Sequence, residues 1–528
     1  MLKYTYSFGL FAVLYVSASP LWAIDSALCK QMLSLSDTDV SILTADVVPA
    51  TNKLPEHCRV YGYILPAVSF EVRLPENWNG KFLMVGNGGY AGSINVNDQQ
   101  YGLSRGYATA STDTGHQGPS PSFGLNNRAA EIDFAFRSIH VSTEAAKDIV
   151  AAYFGNAPQY SYYRGCSTGG RQGLMEAQRF PDDFDGLSIG APLYDFTDKQ
   201  TYNASWVAKA VFGSGGQGYI SPGQLKTLND SVYARCDSID GLEDGLIDDP
   251  RQCDFEPRRD LQLCTVDRKP ESCFLPAQIE SITKIYDGPG TDIYPGAIKG
   301  GEIDVGAGIF GSGGWDTYFM GTMDPDGQIR SEPIQLRNGT GFFKFLAFEH
   351  DRPDFDVFID LDFQNIPDMS FMAGMMNATD TDLSRVRGAG KRIIMWHGWA
   401  DVGLNPLRTI DYYEGVRQAI GTDETNEFMR LFLVPGMYHC GGGPGPNVFD
   451  DLSALEAWVE RGIAPEEMVA YKTAGQNDFA PNRGPTENRL PEDVMVLRSR
   501  PLCAYPKVAR YVGRGSIDAA ENFECVEQ

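Results

Sequence analysis

Short apolar segments, each followed by a turn signal or a helical pattern, recur along the chain. Several have the composition of buried β-strands and are bounded by Gly, Pro or Asp. Buried strands that alternate with helical stretches favour a mostly parallel sheet covered by helices on both faces. The pattern therefore predicts an α/β fold. The predicted strands are residues 81–85, 160–165, 186–190, 392–396 and 429–434.

The pattern changes in the middle of the chain, between about Tyr194 and Val386. This stretch contains four cysteines, many Asp-Gly and Pro-Gly turns and few strand-like segments, and the predicted strands resume at Arg392. A chain of 528 residues also exceeds the usual size of a single hydrophobic core. We therefore predict that residues 24–193 and 387–528 form an α/β domain and that residues 194–386, here called the lid, are inserted into it.

The N-terminus has the three parts of a signal peptide. Lys3 supplies a positive charge, residues 8–18 form a short apolar segment, and residues 20–23 provide a plausible cleavage site. The apolar segment is too short to span a bilayer. The alternative is a first buried helix. We expect residues 1–23 to be removed and the protein to be secreted or periplasmic.

The charge balance argues against two classes of partner. The chain has 69 acidic and 44 basic residues, which gives a formal net charge of −25. Such a charge repels phosphate backbones and anionic lipid surfaces. We therefore expect neither a nucleic acid nor a membrane as a partner.

Ten cysteines in an exported chain predict disulfide bonds. Sequence alone does not fix their connectivity. Short separations favour three local pairs, and a fourth pair would fix the C-terminal tail. These four pairs are Cys29–Cys58, Cys236–Cys253, Cys264–Cys273 and Cys503–Cys525.

The strongest local motif is Gly165-Cys-Ser-Thr-Gly169, which fits G-x-S-x-G between a predicted strand and a predicted helix at residues 168–179. Glycines are needed there because the serine lies on a tight, strained turn where neighbouring side chains would clash. The turn would expose the hydroxyl of Ser167 above the sheet and aim the backbone N–H of Thr168 at a developing oxyanion. The alternative is an ordinary glycine-rich turn.

A serine nucleophile needs a base and an orienting acid, which follow it in the order Asp or Glu, then His, in this fold. His439 lies in a loop after a predicted strand near the chain end, and Asp401 lies in the loop after the strand at 392–396. We predict Asp401 as the acid and His439 as the base. His397 is expected to hold the Asp401 loop, and His350 to be a solvated residue of the lid.

Cys166 precedes the predicted nucleophile and Cys440 follows the predicted base. A bond between them would hold Ser167 and His439 in register and close a very long loop. The alternative, two unpaired buried thiols, is unfavourable in an exported protein.

These motifs together resemble the tannase and feruloyl esterase family. The resemblance is carried by Gly165 to Gly170, by Trp396-His-Gly-Trp-Ala-Asp401 and by His439-Cys440, with support from residues 171–186 and 501–506. It implies an α/β-hydrolase fold, a lid inserted between nucleophile and acid, and a calcium ion in that lid. It also implies that the loop Gly86–Gly89 gives the second oxyanion N–H, from Gly89 or, as an alternative, Gly88.

An acidic loop in the lid suits calcium independently, because calcium prefers six to eight carboxylate and carbonyl oxygens. The register of its acids differs from that of an EF-hand. The alternative is a solvated acidic turn. The expected ligands are the carboxylates of Asp237, Asp240 and Asp244 and the carbonyls of Leu242 and Leu246.

The resemblance implies hydrolysis of esters of aromatic acids such as ferulate, caffeate, coumarate or gallate. An esterase for mono(2-hydroxyethyl) terephthalate and a catalytically silent binding protein of the same fold are the alternatives. Lid pockets set acyl specificity in such enzymes, so the sequence does not separate the ester substrates. Aromatic lid residues that could hold the ring, or instead form the lid core, are Trp315, Tyr318, Phe319, Phe342 and Phe343.

Overall fold

The computed structural model describes residues 24–265, 270–290, 294–304, 313–324, 329–474 and 494–528. The predicted signal peptide, residues 1–23, lies outside the described residues. Within these ranges, no helix combines the length and the apolar character needed to cross a bilayer.

Fifteen strands are present in the described ranges, and nine of them form one sheet. They are β1 (Val40–Val48), β2 (His57–Ile64), β3 (Val68–Pro75), β4 (Lys81–Val85), β5 (Ala108–Thr112), β6 (Tyr160–Cys166), β7 (Gly186–Gly190), β8 (Thr322–Met323), β9 (Ile329–Ser331), β10 (Arg392–Gly398), β11 (Met429–Val434), β12 (Glu467–Thr473), β13 (Val496–Cys503), β14 (Val508–Tyr511) and β15 (Phe523–Val526).

The strand order of the large sheet is β1-β2-β3-β5-β4-β6-β7-β10-β11. From β5 to β11 every neighbouring pair is parallel, whereas β1, β2, β3 and β5 pair antiparallel. The strands predicted from the sequence are β4, β6, β7, β10 and β11, which lie side by side. The predicted α/β fold is confirmed.

Helices cover both faces of this sheet. Along β10, Ile393 and Met395 join the buried cluster that contains side chains of α4, α5 and α14, while Ile394 and Trp396 join the cluster of α16 on the other face. The α-helices are α1 (Ser26–Gln31), α2 (Val96–Ser104), α3 (Arg128–Ile132), α4 (Ser138–Phe154), α5 (Thr168–Arg179), α6 (Phe196–Thr201), α7 (Ala208–Gly216), α8 (Pro222–Cys236), α9 (Pro257–Asp260), α10 (Pro276–Asp287), α11 (Ile334–Phe345), α12 (Ser370–Met376), α13 (Ser384–Gly388), α14 (Pro406–Ile420), α15 (Thr422–Asn426) and α16 (Asp451–Arg461).

The chain between β7 and β10 contains α6 to α13 and the short antiparallel pair β8–β9. Its apolar side chains form two further buried clusters, one around Trp315 and one around Phe343. The lid therefore has buried apolar side chains of its own, although its exact boundaries stay a prediction.

All five predicted disulfides are present, and no described cysteine is free. Disulfides are typical of proteins that fold in an oxidising compartment. The pairs are Cys29–Cys58, Cys166–Cys440, Cys236–Cys253, Cys264–Cys273 and Cys503–Cys525.

Candidate active site

Ser167 lies on the tight turn between β6 and α5, in a backbone conformation that few residues other than glycine adopt (φ 66°, ψ −122°). Its N–H donates a hydrogen bond to the carbonyl of Gly190 at 3.0 Å. A Cβ at Gly165 would lie 2.7 Å from the Gly169 carbonyl oxygen, and one at Gly169 would lie 2.9 Å from the Asn87 carbonyl oxygen. The glycines of the motif are therefore required by close backbone packing.

Asp401 and His439 are joined by a short hydrogen bond, 2.7 Å from Oδ2 to Nδ1. The second carboxylate oxygen of Asp401 accepts the N–H of Leu404 at 2.8 Å. Burial alone would raise the pKa of Asp401, but the attraction of His439 and the hydrogen bonds from both histidine rings outweigh it and lower that pKa. An ionised Asp401 in this position fixes the tautomer of His439 and leaves Nε2 free to accept a proton.

His397 also contacts Asp401, but it has no access to a substrate. Its ring is fully buried, with Nδ1 2.7 Å from the hydroxyl of Thr409 and Nε2 3.0 Å from Asp401 Oδ2. These contacts agree with the predicted role of a residue that holds the Asp401 loop. His350 is exposed in the lid.

The Cys166–Cys440 disulfide joins the two halves of this site across 274 residues of sequence. Cys440 has a positive φ of 60°, and its Sγ lies 3.7 Å from Nε2 of His439. The disulfide thus links two turns with positive φ angles, one at Ser167 and one at Cys440, next to the reacting groups.

The loop after β4 lies against the start of α5. The hydroxyl of Thr168 donates to the carbonyl of Gly89 at 2.6 Å, and Gly89 has a positive φ of 58° with open space where a Cβ would be. The side-chain amide of Asn87 donates to the carbonyls of Ser93 and Thr112, which holds the loop in place. Gly88, Gly89 and Thr168 all reach the cavity of Ser167, as an oxyanion site requires.

Ser167 and His439 open into one cavity of about 290 Å³ between the lid and the α/β part of the chain. Tyr318 is the one predicted lid aromatic that lines this cavity, where its ring lies edge-on to His439 at 6.4 Å. The other four are buried in the lid clusters, which is the alternative that the sequence left open. Two aromatic residues that sequence reasoning missed, Tyr90 and Phe196, line the cavity as well.

Two basic residues that sequence reasoning also missed, Lys199 and Arg337, line the same cavity. Burial lowers the pKa of Lys199 to about 7, an effect that Asp401 and Asp195 only partly offset. Its ammonium lies 5.1 Å from the ring centre of Tyr202 and 5.5 Å from that of Tyr294. No local sequence signal marks these two side chains, because only the packing of α6 and α11 brings them to the cavity.

The predicted calcium loop is closed by the Cys236–Cys253 bond. Asp237 accepts the N–H of Gly245 at 3.0 Å, Asp240 accepts that of Leu242 at 2.9 Å, and Asp244 accepts that of Leu246 at 3.2 Å and pairs with Arg500. The carbonyls of Leu242 and Leu246 stay predicted ligands.

A further acid, Asp248, lies in the same disulfide-closed segment and was not among the predicted ligands. Burial and the neighbouring Asp240 and Asp244 raise the pKa of Asp248 to about 8, and burial with Asp244 and Asp237 raises that of Asp240 to about 6. A calcium ion would relieve the repulsion among these carboxylates, and it prefers such hard oxygen ligands. In the described residues, however, no three of these acids place ligand atoms within 4.8 Å of one another.

Comparison with known proteins gives one consistent family. A family model described as tannase and feruloyl esterase matches residues 52–526. A mono(2-hydroxyethyl) terephthalate hydrolase from Piscinibacter sakaiensis is 33% identical over 91% of this chain and 87% of its own length. A probable feruloyl esterase B-2 from Aspergillus flavus is 32% identical over 80% of this chain and 81% of its own length.

Among solved structures, feruloyl esterase B from Aspergillus oryzae superimposes with a TM-score of 0.79 at 25% identity, covering 95% of this chain and all of that one. The fold is therefore the α/β-hydrolase fold of these esterases. With the matched family model and the geometry around Ser167, it follows that this chain belongs to the tannase and feruloyl esterase family of carboxylic ester hydrolases.

Proposed function

We propose that this chain is an exported serine esterase that cleaves esters of aromatic acids through an acyl-enzyme intermediate. The observation that carries the proposal is that Ser167 and His439 open into one cavity while Asp401 holds the far nitrogen of His439. The five disulfides and the signal-like N-terminus support export.

In the first half-reaction, Nε2 of His439 takes the proton of Ser167 as its Oγ attacks the ester carbonyl. The N–H groups of Thr168 and Gly89 stabilise the oxyanion, and Asp401 stabilises the imidazolium. Collapse of the tetrahedral intermediate breaks the bond to the alcohol, which leaves with the proton of His439. Water then repeats the sequence on the acyl-enzyme and releases the acid.

The lining of the cavity supports an aromatic acyl group. Tyr90, Phe196 and Tyr318 supply ring faces and edges, and a volume of about 290 Å³ suits a single substituted ring with a short ester. Hydroxycinnamic or gallic esters are therefore the proposed substrates.

A second candidate, a terephthalate monoester, is favoured by one specific observation. Its acyl part carries a free carboxylate, and Lys199 and Arg337 place two basic side chains in the cavity. One of the relatives is named as a hydrolase of such an ester.

A structural calcium ion is also proposed, away from the reacting groups. Asp237, Asp240, Asp244 and the newly recognised Asp248 would supply carboxylates, with the carbonyls of Leu242 and Leu246. None of these residues lines the cavity of Ser167. The bound ion would hold the lid loop together and neutralise its acids.

The decisive experiment compares kcat/KM for methyl ferulate, methyl gallate and mono(2-hydroxyethyl) terephthalate. Ser167→Ala is the matched control, since it removes only the hydroxyl. Two results together would support an acyl-enzyme intermediate. The activity should require Ser167, and a substrate whose deacylation is slow should release a burst of one molecule of alcohol per enzyme molecule. A protein that binds these esters without cleaving them would instead be the silent binding protein.

A further inference from the structure

A second cluster of potential metal ligands lies near the C-terminal end of α5, away from Ser167. His140 of α4, Glu176 of α5 and Asp183 of the loop before β7 each place one ligand atom within 4.8 Å of the other two. Glu176 comes eight residues after Thr168, which is about 12 Å along the helix axis. None of the three residues lines the cavity of Ser167.

Glu176 is the unusual member of this cluster. Its side chain is 1% exposed, and among the described residues no N–H or O–H group donates to either carboxylate oxygen, whose polar neighbour is the carboxyl group of Asp183. A buried carboxylate without donors is strongly unfavourable unless a proton or a cation compensates it.

The described groups around Glu176 donate no hydrogen bond to its carboxylate. The Lys147 ammonium is close enough to attract the carboxylate of Glu176, but its hydrogen bond goes to the backbone carbonyl of Asp183. His140 Nδ1 lies 2.7 Å from Asp183 Oδ2, while Glu144 lies 3.5 Å from the other ring nitrogen. The ring of Phe180 stacks on His140 at 3.8 Å and fixes its orientation.

We propose that His140, Glu176 and Asp183 bind one divalent transition-metal ion, for which Zn²⁺ is the best match. One imidazole nitrogen and two carboxylate oxygens are typical zinc ligands, whereas calcium prefers oxygen alone. The side chains of His140 and Asp183 are 24% and 14% exposed, so an ion can reach the cluster and keep a water molecule as its fourth ligand. Glu144 would then orient the imidazole from outside.

The ion would be structural. It would link α4, the second half of α5 and the loop before β7. It would thereby stabilise α5, whose first residue follows the nucleophile. Binding to the native state alone raises the melting temperature as the Zn²⁺ concentration rises.

The test uses the full chain, stripped with chelator and then saturated with Ca²⁺ so that the acidic lid loop is occupied. Zn²⁺ is titrated by calorimetry, and bound Zn²⁺ is counted by elemental analysis. The variants are Glu176→Gln, which keeps the shape of the side chain, and His140→Ala, which truncates a partly exposed ring. His350→Ala is the matched control, because it removes an exposed histidine outside the cluster.

We expect one Zn²⁺ per chain in the unmodified protein and in His350→Ala, with affinity at least about tenfold weaker in both cluster variants. Co²⁺ in place of Zn²⁺ should give visible absorption bands that Zn²⁺ abolishes. If the unmodified protein binds no Zn²⁺ up to about 0.1 mM, or if both cluster variants bind it as well as His350→Ala, the proposal is overturned. A different result would indicate a proton shared by Glu176 and Asp183 in place of a metal ion. In that case Zn²⁺ has no effect on the unmodified chain, and Glu176→Gln melts at an unchanged or higher temperature.

Discussion

Removal of the Cys166–Cys440 disulfide is expected to reduce both stability and turnover. The bond closes a loop of 274 residues, for which the chain-entropy relation gives about 5.6 kcal/mol of stabilisation. That is a large part of the 5–15 kcal/mol typical of a whole native protein, so a Cys166→Ala/Cys440→Ala variant should unfold at markedly lower urea concentration.

Turnover should fall for a separate, geometric reason. Ser167 and His439 are each one residue from a bonded sulfur, and both Ser167 and Cys440 have positive φ angles that the bond helps to hold. A displacement of about 1 Å between nucleophile and base reduces the rate by on the order of a hundredfold. We therefore expect kcat to fall by about that factor while KM changes little.

The matched control is Cys29→Ala/Cys58→Ala, which removes a buried disulfide with a separation of 29 residues near the N-terminus. The same relation gives about 3.6 kcal/mol for that bond, so the control loses stability as well. Urea unfolding and steady-state kinetics with one aromatic ester are measured for both variants under non-reducing conditions. Equal kcat values for the two variants would refute a positioning role for the Cys166–Cys440 bond.

Three further predictions follow from the site. Asp401→Asn should lower kcat by about 10⁴-fold, because it favours the wrong tautomer of His439. His397→Ala should lower kcat far less and should instead reduce the free energy of unfolding by about 1–3 kcal/mol. Steady-state kinetics and urea unfolding measure the two effects, and an equal loss of kcat in both variants would contradict the assignment of their roles. Chelation should lower the melting temperature and Ca²⁺ should restore it, since Ca²⁺ at a hundredfold excess over Kd raises the free energy of unfolding by about 2.7 kcal/mol. Asp248→Asn should reduce this stabilisation by Ca²⁺. If calorimetry finds the same stabilisation in Asp248→Asn, Asp248 is not a ligand. Lys199 is protonated below its pKa of about 7 and neutral above it. The affinity of a Ser167→Ala protein for terephthalate should therefore fall by about tenfold or more as the pH rises from 6 to 8.5. In a calorimetric titration, Lys199→Met should remove that pH dependence.

The sequence by itself determined the parts of this protein that depend on local patterns. Apolar segments with turn signals located the parallel strands β4, β6, β7, β10 and β11 at nearly their observed bounds. The G-x-S-x-G motif located the strained turn at Ser167, because only glycines permit such close backbone packing. Chain order assigned the base to His439 and not to His397, which stays a prediction. Adjacency to the predicted reacting residues favoured a Cys166–Cys440 bond, which the structure contains.

The antiparallel strands β1, β2 and β3 were missed, although β2 shows alternating burial. Their apolar positions are interrupted by charged and polar side chains at the edge of the sheet, so they lack the continuous apolar composition of the central strands. Their place in the sheet is decided by pairing with partners elsewhere in the chain.

Only the tertiary structure decided which side chains meet at the sites. Phe342 and Phe343 pack in the lid core, whereas Tyr318 lines the cavity. All three are aromatic residues of the lid, so residue type alone does not predict which of them lines the cavity. Lys199 lines the cavity of Ser167, and Glu176 lies near His140, because helices that are distant in sequence pack together. The physical reason is that burial and charge proximity depend on contacts across the fold, whereas strands, turns and motifs depend on neighbours along the chain.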